Sequence, residues 1–185
     1  MSVFRRTVVP PPPIAQVLES DEVVLGLARD DAGAELAVTR RRLLLARGEA
    51  LPTSLSWFEI ARVRLDDGVL EIVPLRWVAP FADGAGDMVV DAPTLSLRIG
   101  RANRLTDQIH QRVRSSVIAS RHLPWPDAGG WVTIRRVAGV DGVLPQLRLD
   151  AGADPEAPGF LAAAERVVIE LRAGGAGSGT TGVDE

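Results

Sequence analysis

Residues 94–120 read TLSLRIGRANRLTDQIHQRVRSSVIAS, and the rhythm of apolar positions changes inside them. Over Thr94–Ile99, Leu95, Leu97 and Ile99 alternate with Ser96 and Arg98, the two-residue period of a strand with one buried face. From Arg101 to Ser120, Leu105, Ile109, Val113, Ser116, Val117 and Ser120 recur at three- and four-residue spacing instead. Arg104, Gln108, Gln111 and Arg114 fall between them, so the spacing predicts an amphipathic helix of about five turns.

Upstream of that change the chain reads as short strands broken by turn residues. Glu22–Ala28, Glu35–Thr39, Leu43–Arg47, Thr53–Phe58, Ile60–Leu65 and Val69–Pro74 precede Thr94–Ile99, giving seven strands before the helix. Asp66-Asp67-Gly68 is the sharpest hairpin signal, because an Asp-Gly pair tolerates the positive φ a tight hairpin needs. Asp83–Asp87 reads as a longer Gly- and Asp-rich loop leading to Pro93. After Pro124-Trp125-Pro126 the chain restarts. Trp131–Val137 and Val143–Leu149 are expected to pair across Asp141-Gly142, and Phe160, Leu161, Ala164, Val167, Val168 and Leu171 form a helical stripe. This ββα segment, residues 123–173, is too small to bury a core alone and is expected to pack as an extension on a main domain of residues 21–122. Pro10–Pro13 predict an extended lead-in over residues 1–20, with one helical turn from Ile14 to Glu19. The Gly/Ser/Thr string of residues 174–185 is expected to be a disordered tail.

Seven antiparallel strands followed by one amphipathic helix resemble the pleckstrin-homology superfold, in which the helix caps a bent sheet sandwich. The segment Leu36-Ala37-Val38-Thr39-Arg40-Arg41-Arg42-Leu43-Leu44 is similar to a hairpin of bacterial pleckstrin-homology-like proteins, and Arg114–His122 looks like the helix end of an actinobacterial group of that type. The resemblance covers about residues 20–122. It implies an α+β, mainly antiparallel fold: a seven-stranded sandwich or barrel capped by the helix, with the ββα segment appended. Its motifs say almost nothing about activity; the fold, with no convergent catalytic groups in the sequence, is expected to serve as a non-catalytic interaction module. Lipid-binding members place basic residues in the first hairpin loop, whereas Arg29-Asp30-Asp31-Ala32-Gly33-Ala34-Glu35 is acidic here, so no inositol-lipid site is carried over.

Composition narrows the function classes. Hydrophobic residues make up 46% of the 185, enough for a core, while aromatics are 4%, so Val, Leu, Ile and Ala must fill it. Cysteine is absent, which removes disulfides and thiolate chemistry and fits a reducing bacterial cytoplasm. Every basic residue is Arg, the coding habit of a GC-rich genome, and a net charge of −3 argues against a nucleic-acid partner. No run approaches the roughly 20 apolar residues that span a bilayer.

No motif reaches a reaction, a cofactor or a metal. His110 sits beside the helix stripe and His122 in the loop expected after it; neither spacing makes a triad or a zinc set. The Gly174–Thr181 string has no helix after it to hold phosphate. Asp30-Asp31 and Asp66-Asp67 read as turn formers beside Gly. Trp57 and Trp131 lie in predicted strands and are expected in the core. Trp77 and Trp125 lie near prolines, at the core or a domain junction, with an exposed interface position as the alternative. The remaining signal is basic: Arg40, Arg41 and Arg42 in a hairpin turn, with Arg101 and Arg104 at the start of the helix. Residues 150–185 hold seven acidic residues and two Arg. The expected partner is a protein. Peripheral association of the arginine face with an anionic inner membrane surface is the alternative, and an enzyme of unknown reaction is a third.

Overall fold

Two-residue alternation builds most of what the computed structural model describes, which is residues 9–100, 104–138 and 142–176. Expectations that fall on residues 1–8, Arg101, Asp141 or residues 177–185 lie outside the described residues. In chain order the elements are α1 (Pro12–Ala15), β1 (Gly26–Arg29), β2 (Glu35–Val38), β3 (Arg42–Ala46), β4 (Thr53–Ser56), β5 (Ile60–Asp66), β6 (Val69–Phe81), β7 (Gly86–Asp91), β8 (Leu95–Arg98), α2 (Arg104–Ser116), β9 (Val117–Leu123), β10 (Gly130–Arg136), β11 (Val143–Leu149) and α3 (Phe160–Ala176). The class is α+β with mostly antiparallel pairing. The chain divides into two discontinuous units, residues 1–74 with 93–114 and residues 75–92 with 115–185.

In the first unit β1-β2-β3-β4 form one antiparallel sheet, and β6 pairs on its two sides with β5 and β8 up to Pro74. Asp67 and Gly68 hold φ of 43° and 75°, the left-handed pair that closes the β5–β6 hairpin. One face of β2 and β3 sends Leu36, Val38, Leu43 and Leu45 into a core shared with Leu70, Ile72 and Leu97. Helix α2 adds Leu105, Ile109 and Val113, the stripe read from its period, to the same core. The opposite face carries Ala37, Leu44 and Ala46, and is apolar too. Ile14, Val17, Leu18 and Val24 of the N-terminal segment cover it.

In the second unit β6 from Leu75, then β7, β11, β10 and β9, lie side by side in one sheet. All neighbours are antiparallel except β7 and β11, which run parallel with Met88 opposite Leu147. Met88, Val132, Ile134 and Leu147 face α3, whose Phe160, Ala164, Val167 and Val168 complete this core. A Cβ at Gly86 would come 2.2 Å from the Pro145 carbonyl oxygen, so only glycine permits β7 to approach β11 there.

Three expectations are corrected. The helix stops at Ser116 and Val117–Leu123 is a strand, because β-branched Val117 pairs with Arg135 of β10 instead of extending the stripe, and Ile118 is passed over at a bulge. The Asp83–Asp87 loop is a tight turn, with Ala82, Asp83 and Gly84 all at positive φ, and Gly86 and Asp87 already belong to β7. The segment 123–173 lies against residues 75–92 and 117–123: β10, β11 and α3 join β6, β7 and β9, which supply the apolar surface it lacks. At the ends, the helical turn lies at Pro12–Ala15 with Ile14 fully buried, and α3 continues through Gly174 to Ala176.

If the N-terminal segment is part of the first core, Ile14→Ala lowers stability by about 2–5 kcal/mol. Val9→Ala, at a position 79% exposed, changes it by less than about 0.5 kcal/mol. Thermal and urea unfolding of the two variants beside the parent chain checks this.

Candidate functional site

The arginine turn is built from Thr39, which is fully buried at the end of β2. Its hydroxyl oxygen accepts the backbone N–H groups of Arg41 (3.1 Å) and Arg42 (3.0 Å), holding the β2–β3 turn. The same hydroxyl lies 2.7 Å from Glu22 Oε1 and can donate to it. The three arginines then part company.

Arg42 is locked. Its Nε donates to both Glu22 carboxylate oxygens (3.0 and 3.1 Å), its Nη2 to Glu22 Oε2 (2.5 Å) and to the Val17 carbonyl (2.9 Å), and its Nη1 to Ser54 (3.3 Å). The Glu22 side chain is only 1% exposed. Burial by itself would push that carboxyl up; hydrogen bonds from Arg42, Thr39 and the Glu19 backbone together outweigh it and hold Glu22 below the ordinary carboxylate value. The bond to Glu22 in turn raises Arg42. Arg41 forks onto Asp21 (3.1 and 2.6 Å) and also pairs with Glu19. Two of the three turn cations are thus matched by acids of the N-terminal segment.

Arg40 is exposed, and its carbonyl accepts Trp57 Nε1–H (3.1 Å) and an Arg112 N–H (3.3 Å). The Arg112 guanidinium stands 5.9 Å from the Trp57 ring centroid, a cation–π contact, and burial followed by the charge of Arg40 lowers its pKa. Arg104 is exposed on the first turn of α2, two turns before Arg112. Arg101 lies outside the described residues. Of the five candidates, Arg40, Arg41 and Arg42 share one turn, and Arg112 is the helix arginine that joins them.

Elsewhere in the first unit, hairpin tips line two open cavities. One of about 280 Å³ is bounded by Asp30, Arg47 and Ser96 with Gly33 and Gly48, the other of about 330 Å³ by Asp31, Asp67 and Arg98 with Gly68 and Gly100. Asp30 accepts the Ala34 N–H (2.7 Å) across its turn, the bend-forming use expected of it. Among the described residues, no three His, Asp or Glu side chains converge as metal ligands would.

The second unit holds what sequence reasoning missed. His122 is on β9, with Nε2 2.8 Å from Asp150 Oδ2 and its ring 5.2 Å from the Trp131 ring. Trp131, expected in the core, is 42% exposed, and Trp77 is 57% exposed. Trp57 is buried, and Trp125 packs edge-on against Phe160 at 5.4 Å. Parity was the available signal for Trp131: Val132 and Ile134 are the apolar members of β10 that enter the core, which puts Trp131 on the opposite face.

Compared with protein-family models, curated proteins and solved structures, the chain matches none.

Glu22→Gln removes the charge that Arg42 needs and costs about 2 kcal/mol at neutral pH. Because the Glu22 carboxyl is depressed in the folded chain, its contribution is complete above the ordinary carboxylate range and is lost as pH falls through the folded value. Urea midpoints measured between neutral and strongly acidic pH should converge for parent and variant at the acid end.

Proposed function

We propose that this chain is a pleckstrin-homology-like interaction module that holds a protein partner in the bacterial cytoplasm and catalyses no reaction. One observation carries this. In the first unit a four-strand antiparallel sheet is followed by a three-strand sheet and then by α2, whose Leu105, Ile109 and Val113 enter the core both sheets share. That is the element order of the superfold that residues 20–122 resemble, interrupted by the 75–92 excursion into the second unit. Scaffolds of this kind present rigid loops and faces to ligands, and the step from scaffold to partner is one of analogy.

Membrane association is the weaker reading. A basic side chain near an anionic surface contributes about 1 kcal/mol. Arg41 and Arg42 are already matched by Glu19, Asp21 and Glu22, which leaves Arg40 and Arg104 of the described candidates. Two such contacts fall short of a stable anchor.

Co-purification of the full chain from the native cell, with soluble and membrane fractions separated, tests both. The expected result is a stoichiometric protein partner in the soluble fraction that survives several hundred millimolar salt. At 0.15 M salt the full chain should not sediment with phosphatidylserine-containing vesicles. Sedimentation that Arg40→Ala abolishes would replace the protein-partner reading with the membrane one.

A further inference from the structure

Two cations of the first unit keep no acid. Glu19, Asp21 and Glu22 take up Arg41 and Arg42, and among the described residues no carboxylate pairs with Arg40 or Arg112. The acids nearest in sequence are turned elsewhere. Glu59 accepts the Ser56 N–H (2.7 Å), and Asp107, five residues before Arg112, lies about 140° around α2 from it.

Both cations are held in place. The Arg40 carbonyl accepts Trp57 Nε1–H (3.1 Å) and Arg112 Nη1–H (3.3 Å), and the Arg112 guanidinium stands 5.9 Å from the Trp57 ring centroid. Trp57 is 4% exposed, so ring and carbonyl make a fixed seat for Arg112. Arg40 follows Thr39, whose hydroxyl braces the turn. Arg112 is partly buried, its Nε has no hydrogen-bond partner, and Arg40 is exposed beside it. Burial first, and then the charge of Arg40, lower the Arg112 pKa. An anion set against both would relieve the repulsion and pair the partly desolvated guanidinium.

The charge count selects the ligand. Two guanidinium groups present two unit charges. A carboxylate answers with one charge and two oxygens, whereas a phosphoryl monoester carries about −1.5 to −2 at neutral pH and three acceptor oxygens. Guanidinium forks match those oxygens in geometry as well.

We propose that Arg40 and Arg112 bind the phosphoryl group of a phosphorylated serine or threonine on the protein partner; this rests on the interaction-module reading above.

The test titrates the ¹⁵N-labelled full chain with Gly-Ser-Gly-pSer-Gly-Ser-Gly and with its Glu-for-pSer and Ser-for-pSer versions, read at the Trp57 indole N–H. The phosphoserine peptide should bind at least about five-fold more tightly than the glutamate one, and the serine peptide should give no saturable shift. Lowering the pH from about 7.5 to about 5.5 should weaken the phosphopeptide about three-fold, because its second pKa is about 6, and leave the glutamate peptide unchanged. Arg40→Ala and Arg112→Gln should each weaken the phosphopeptide about five-fold or more, and Arg104→Ala, two turns away on α2, by less than about two-fold. Arg40→Ala keeps the carbonyl that seats Arg112, and so covers the case in which Arg112→Gln fails to fold. Equal binding of phosphoserine and glutamate peptides, Arg40→Ala binding like the parent, or an Arg104→Ala loss as large as that of Arg40→Ala would each overturn the site. Arg40-dependent sedimentation with phosphatidylserine-containing vesicles, without phosphopeptide binding, would overturn it too. If the native partner co-purifies equally with parent and Arg40→Ala, and equally after phosphatase treatment, the phosphoryl site is refuted while the module reading stands. If no protein partner co-purifies and no peptide binds, both are refuted.

Discussion

Side chains alternate along a strand, so a sheet that buries one face in a core must do something with the other. The two units answer this differently. In the first, the second face of β2 and β3 is apolar, with Ala37, Leu44 and Ala46, and leaving it wet would forfeit roughly 25 cal/mol per Å² of buried surface. The N-terminal segment covers it. In the second unit the corresponding face is mixed: Trp77 and Trp131 are exposed on it, while Val89, Thr133, Arg135 and Gln146 are buried.

Covering the first face has an electrostatic side. The segment that brings Ile14 and Val24 onto the sheet also brings Glu19, Asp21 and Glu22 to Arg41 and Arg42. Burying Glu22 is favourable only because Thr39, the Glu19 N–H and the Arg42 fork meet its carboxylate; a lone carboxylate there would be protonated or the segment would lift. Apolar cover and ion pairing therefore support each other, and the turn arginines stabilise the fold more than they advertise charge.

Most strands of the first unit were legible because they are short and end near Asp, Gly or Pro, although β2 and β3 are apolar on both faces. The α2 stripe was legible over Leu105, Ile109 and Val113, since a strand would put the polar Asp107 and Gln111 on the same face as these three. Its end was not. Ser116, Val117 and Ser120 continue the spacing, and only pairing with β10, a non-local contact, decides that Val117 starts a strand. β7 was hidden in part for the same reason: beside its hairpin mate β6, it pairs with β11 nearly sixty residues downstream. Within the arginine turn, position and charge were plain in the sequence, but the acids that neutralise it lie about twenty residues upstream with no periodic mark, so the turn looked freer than it is.

The parallel β7–β11 pair also dictates an order of events at the ribosome. At about 5–20 residues per second, β7 is synthesised some 3–10 seconds before β11 emerges to lie beside it. For that interval the nascent hairpin of β6 and β7 offers a bare edge, and Asp87 and Asp91 are the charged gatekeepers that discourage other chains from taking it. When β11 arrives, Arg148 captures Asp91 and the temporary guard becomes a permanent rivet.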